Sequence, residues 1–117
     1  MPITMVYFDP KDIEEMTLTR IANALPAIIA KHLSAGRNRS DLKPSDIEVI
    51  CNHFKPPDMY SYDLAIVIWA NDFPERKHNL EDRKNGIVAD VRSLMPSGTR
   101  GFVWILLAPA SFGEFDA

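Results

Sequence analysis

Residues 3–8, Ile-Thr-Met-Val-Tyr-Phe, are apolar, aromatic or β-branched, and the run predicts a short buried strand. Pro10 interrupts it, since a proline has no ladder donor. Asp12 stands three residues before Glu15, the spacing of a capping box, and predicts the start of a helix. From there Leu18, Ile21, Leu25, Ile28, Ile29 and Leu33 recur at helical spacing and make one apolar stripe. Pro26 falls inside that stripe and predicts a kink, or a handover between two helices. Gly36 is the expected stop. The polar run that follows, broken by Pro44, reads as a loop.

Ile47, Val49, Cys51 and His53 then alternate with Glu48, Ile50 and Asn52, which predicts a second strand. The adjacent Pro56 and Pro57 belong to a turn-rich connection. Residues 63–70 (DLAIVIWA) are apolar on both faces and predict a central strand. Residues 71–79 read as a loop, and a second helix is expected over 80–95 with Leu80, Ile87, Val91 and Leu94 inward. Pro96 and Gly98 end it. Residues 102–108 give the last strand, and a tail carries Phe112 and Phe115.

The order is β-α-β-β-α-β. It predicts an α+β fold: a four-stranded sheet with two helices on one face. Each half is strand, helix, strand, so the fold divides into two similar halves. With 117 residues the chain is expected to be a single domain, 1–117, with a core of its own.

Charge and cysteine content narrow the partners. A formal net charge of -3 gives no general attraction to phosphate backbones or acidic membranes, so neither nucleic acid nor membrane is an expected partner. No stretch approaches the roughly 20 apolar residues of a membrane span, and no basic-then-apolar leader opens the chain. Cys51 is alone, which fits a reducing compartment and a cytoplasmic location.

Three constellations deserve weighing against plainer readings. The segment RGFVWILL (100–107) begins like an RNA-recognition consensus. It falls out of step at Val103 and Trp104 and sits in the fourth strand, so RNA binding is not expected. Cys51 and His53 share a strand face. Without further ligands at matching spacing they read as a buried cysteine and a hydrogen-bonded histidine, and no metal is expected. Arg76, Lys77, His78 and Arg83 read together as a solvated basic face balanced by Glu75, Glu81 and Asp82, with Arg76 set apart by its place just after a central strand.

Pro2 is the residue with distinctive chemistry. Removal of Met1 would leave a secondary amine at the head of a buried strand. A free α-amino group titrates near pH 8 (roughly) in water. Burial removes hydration from the cation and a nearby arginine repels it, so the value falls toward neutrality. Such an amine can move a proton between carbon and heteroatom at neutral pH, or attack a carbonyl.

Pro2 directly ahead of a strand, in a chain of this element order, resembles the tautomerase superfamily, which includes 4-oxalocrotonate tautomerase and macrophage migration inhibitory factor. At residue level the resemblance rests on MPITMVYF, ALPAIIAKHL, LAIVIWA followed by a basic loop, and the PASFGEF ending, and it looks closest to a bacterial branch. The resemblance implies that Pro2 is the catalytic acid, base or nucleophile, acting without a cofactor on small 2-oxo or enol carboxylates. It also implies that Arg76 binds the substrate carboxylate, with Lys11 near the position of a second cation. A lysine keeps that charge but lacks the two-pronged grip of a guanidinium. A homotrimer with sites between subunits is implied as well. The chain departs from the family where FKPPDMYSY replaces a glycine-rich hairpin. Tyr60, Trp104, Phe112 and Phe115 are candidates to line an apolar substrate pocket or a subunit interface, with Phe112 or Phe115 docking on a neighbouring subunit. The alternative is a non-catalytic domain that keeps the scaffold and binds or oligomerises.

Overall fold

The computed structural model describes residues 2–34, 41–55 and 58–117. Its four strands are β1 (Ile3–Phe8), β2 (Glu48–His53), β3 (Leu64–Asn71) and β4 (Gly101–Ala108). Its helices are α1 (Glu15–Leu33), the single-turn α2 (Pro74–His78) and α3 (Leu80–Leu94), with a short 3-10 turn at Pro44–Asp46 before β2. The sheet order is β2-β1-β3-β4. β1 pairs with β2 in parallel, β3 pairs with β4 in parallel, and the two halves join where β1 meets β3 antiparallel. This is the expected α+β fold, with its two strand–helix–strand halves.

Alternation along β1 and β3 divides the sheet into a buried and an open face. Thr4 and Val6 face the helices, as do Leu64, Ile66, Ile68 and Ala70, and all six are buried. The stripe of α1 covers them: Ile21, Leu25, Ile29 and Leu33 are fully enclosed, and Ile87 and Val91 bring α3 into the same core. The other face carries Ile3, Ile50, Trp69, Phe102 and Trp104, all exposed.

Several expectations fail for physical reasons. No handover between two helices occurs at Pro26, which lies inside the single helix α1. A mid-helix proline costs about 3 kcal/mol, but each of the four enclosed stripe residues contributes about 2 kcal/mol by burial, so tertiary packing prevails. Asp12 does not cap α1, whose N-cap is Glu14. Asp12 instead belongs to a turn in which the Asp9 carbonyl accepts the Asp12 and Ile13 N–H groups (3.1 and 2.8 Å) and Asp9 Oδ1 accepts that of Lys11 (2.9 Å). Gly36, the expected helix stop, lies outside the described residues, as do Pro56 and Pro57. α1 ends at Leu33, where the Ser34 hydroxyl donates to the Ala30 carbonyl over 2.6 Å.

The expected loop at 71–79 contains a helical turn, α2, because Pro74 at its first position already holds helical φ. Cys51 is exposed rather than buried. β2 is an edge strand: Ile47, just ahead of it, is buried and Val49 packs part-buried against the core, but the end of the strand that carries Cys51 is open. Burial of its sulfur still pushes the thiol pKa up. His53 is exposed too, with its Nδ1 3.2 Å from the Phe54 carbonyl oxygen. Among the described residues no helix is long and apolar enough to cross a membrane.

Candidate active site

Pro2 is fully buried, and its carbonyl accepts the Glu48 N–H at 3.2 Å as β2 begins. Antiparallel pairing sets Ile3 opposite Trp69. Pro2 therefore stands at the sheet end where β3 runs out at Asn71 and α2 begins. β4 finishes at the same end, with Ala108 opposite Asn71.

Arg76 comes to this end on α2 and is 1% exposed. Its Nε donates to the Leu33 carbonyl at 2.9 Å and its Nη1 to the Asn71 carbonyl at 3.0 Å. The guanidinium carbon lies 4.9 Å from the centroid of the Phe73 ring. Burial, and then repulsion from Arg83, lower the Arg76 pKa. Arg83 Nη1 donates to the His32 and Ser34 carbonyls at 2.9 and 2.7 Å. Two arginines of the supposed solvated face thus turn inward and satisfy carbonyls around the α1 terminus. The solvated reading holds for Lys77 and His78, which are exposed; Lys77 Nζ lies 3.1 Å from Asp72 Oδ2.

The other candidates go elsewhere. Lys11 is exposed in the turn after β1, at the far end of a six-residue strand from Pro2, a separation of about 20 Å. Tyr60 is exposed near Lys11's end, stacked on Phe54 at 4.2 Å, and burial followed by a hydrogen bond to Asp9 pushes its pKa up. Trp104 lies midway along β4 on the open face, beside Val67 in register and 56% exposed. Phe112 is 60% exposed in the tail, which leaves β4 at Pro2's end of the sheet. One chain therefore unites Pro2, Arg76 and the root of the tail, and it separates them from Lys11 and Tyr60.

Sequence reasoning missed two polar groups. Thr4 Oγ1 and Asp72 Oδ1 are buried side-chain oxygens with no hydrogen-bond partner among the described residues. Thr4 follows Pro2 by two positions on the same face, and Asp72 follows β3 directly. The only signal was position, a polar residue on an inward register and another at a strand end. Among the described residues no cluster of three or more histidine, cysteine, aspartate or glutamate side chains is placed to hold a metal ion.

The fold, with Pro2 ahead of its first strand, is tautomerase-like, as a set of solved structures shows. No family model and no curated relative matches the sequence; the likeness is to solved structures. The chain is similar to a macrophage migration inhibitory factor-like protein from Entamoeba histolytica (TM-score 0.62, 13% identity, 98% of this chain and 95% of that one). It is also similar to FG41 malonate semialdehyde decarboxylase inhibited by 3-bromopropiolate (TM-score 0.64, 16% identity, 97% and 91%). A fused 4-OT in a symmetric trimer superposes with a TM-score of 0.61 at 11% identity, over 92% and 85% of the two chains.

Proposed function

We propose that the protein is a tautomerase-like isomerase of small 2-oxo or enol carboxylates, working through the secondary amine that removal of Met1 leaves on Pro2. The observation that carries this reading is the burial of Pro2 at the sheet end that also holds the buried guanidinium of Arg76. Burial disfavours the ammonium form and the neighbouring cation disfavours it further, so the amine is neutral near pH 7. It takes a proton from the enol hydroxyl or from carbon, and the resulting ammonium returns one proton to the other atom. Arg76 Nε and Nη1 are held by backbone carbonyls. In this reading Nη2 takes a substrate carboxylate oxygen.

Assembly as a homotrimer is part of the same proposal. The open face exposes Trp69 at 48% and Trp104 at 56%, beside Ile3, Ile50 and Phe102. Exposed large apolar side chains gathered on one sheet face are what a subunit interface would cover. Lys11 sits too far from Pro2 in its own chain to share a substrate with it, so it serves a site only from a second copy. Phe112 and Tyr60 line the site or the interface on the same terms, and Phe115 docks on the neighbour. A cytoplasmic location goes with the unpaired Cys51 thiol.

The non-catalytic alternative has one observation in its favour: Arg76 already serves the α1 terminus. Intact-mass measurement of untagged protein separates the two, since a retained Met1 makes the Pro2 nitrogen an amide with no basicity. With Met1 removed, ketonisation of phenylpyruvate or 2-hydroxymuconate is expected to fall at least about a hundredfold in Pro2→Ala. Equal rates in the two proteins would take Pro2 out of the mechanism.

A further inference from the structure

A cleft of about 480 Å³ opens at the other end of the sheet from Pro2, where α3 passes the first residues of β3 and β4. That volume lies in the range of small-molecule sites. Leu64, Ile66 and Val103 line it from the sheet, and Val88, Val91 and Met95 line it from α3 and its C-cap. The helical set recurs at i, i+3 and i+7, so it presents one continuous apolar wall. The chain between α3 and β4 forms the lip, where the Thr99 N–H donates to the Pro96 carbonyl over 3.2 Å. Gly98 makes the turn with φ of 91°, a conformation that favours glycine, and open space surrounds the position where a Cβ would stand.

Arg92 and Arg100 also line this cleft. Among the described residues neither guanidinium has an ion-pair partner, whereas Lys31, Lys77 and Lys84 lie beside carboxylates and Arg76 and Arg83 donate to carbonyls. Asp63 accepts the backbone N–H of Arg100 at 2.9 Å, not its side chain. The Arg100 guanidinium carbon stands 5.2 Å from the centroid of the Tyr62 ring, and Phe102 meets that ring edge-on, also at 5.2 Å. Arg92, in the last turn of α3, has a second use in offsetting the helix dipole. Arg100 lies outside any helix and has no such use.

We infer that this cleft is a second binding site, for a monocarboxylate carrying a flat apolar body. The body lies between α3 and the sheet, and the carboxylate lies at Arg92 and Arg100. Two guanidiniums repel a cationic ligand, and the apolar walls offer nothing to a polyphosphate. The site does not depend on the tautomerase reading: Leu64 pairs with Phe8, so the cleft is about 20 Å from Pro2 within the chain.

The test is a titration of 15N-labelled full-length protein with 3-phenylpropionate, 3-phenylpropan-1-ol and 3-phenylpropylammonium, following the Gly98 and Gly101 amides. The acid is saturated at the carbons beside its carboxylate and cannot undergo keto–enol exchange. It is expected to shift both amides and to bind about tenfold or more tighter than the alcohol, while the ammonium does not bind. Arg92→Met with Arg100→Met should reduce the acid to the alcohol's affinity. Val88→Trp should fill the cleft and abolish binding of both, and Pro2→Ala should leave the Gly98 and Gly101 shifts and the affinity of the acid as they are. Equal binding of acid and alcohol by the unaltered protein, shifts confined to the Pro2 end of the sheet, or no shift with any probe would each overturn the inference. The comparison of ligands on the unaltered protein decides even if a variant fails to fold.

Discussion

Arg76 ends α1: its Nε donates to the carbonyl of Leu33, the last residue of that helix, 43 positions earlier, over 2.9 Å. Two of the guanidinium's nitrogens are anchored to the backbone. Its anchoring joins α1 to the end of β3, because Nη1 holds the Asn71 carbonyl in the same fork. The cost of burying the charge is offset by these charge-assisted bonds and by the Phe73 ring beside it.

Arg76→Leu removes both bonds and leaves the Leu33 and Asn71 carbonyls without their donor. A loss of about 3 kcal/mol in folding stability is expected, read as a lower midpoint in urea unfolding. Arg76→Lys keeps the charge without the fork and should fall between the two. A midpoint unchanged in Arg76→Leu would show that the buried fork contributes nothing.

Gly86 on α3 gives His32 of α1 its place. A Cβ at position 86 would fall 2.4 Å from the His32 ring, which donates from Nε2 to Asp90 Oδ2 at 2.7 Å. Alanine ordinarily gains about 1 kcal/mol over glycine within a helix. Here Gly86→Ala must displace the ring, and a net destabilisation of about 1–2 kcal/mol is expected. In a His32→Ala background the same change should stabilise. Thermal unfolding of the four proteins checks the reversal of sign.

The same contact predicts acid sensitivity. The hydrogen bond from His32, and after it the charge of Lys31, hold the Asp90 pKa below its ordinary value. A depressed carboxyl contributes stability in full above its unfolded pKa, about 3.9. It loses that contribution as pH falls through its lower folded value. The stability difference between the unaltered protein and Asp90→Asn should shrink as pH falls below about 4. A difference independent of pH would show that Asp90 is not held by charge.

The open sheet face predicts an effect on assembly. Trp104→Lys together with Trp69→Lys places two charges on that face without touching the core, since both side chains are exposed in the single chain. Sedimentation equilibrium is expected to show monomers, with the circular dichroism spectrum retained. An oligomer that survives both lysines would move the interface elsewhere.

The elements that were legible share one property: their signal is local. The stripe from Ile21 to Leu33 and the alternation of Leu64, Ile66 and Ile68 repeat within a few residues, and those periods follow from backbone geometry alone. Pro2 stood out because the chemistry proposed for it, once Met1 is removed, would be a property of one residue. Cys51 was misread because an edge strand and a covered strand can carry the same alternation, and only the sheet order β2-β1-β3-β4 separates them. Arg76 was misread as to its partners, since no spacing in the chain shows that residue 76 meets residue 33.

By itself, the sequence determined the four strands, the two long helices, their order in two similar halves and the apolar residues that face the helices. The tertiary structure alone decided which groups share an end of the sheet. Antiparallel pairing of β1 with β3 brings Arg76 to Pro2's end of the sheet, while the length of β1 sets Lys11 at the other end. Those outcomes depend on long-range register, which is settled by burying one whole face at once rather than by any stretch of neighbouring residues.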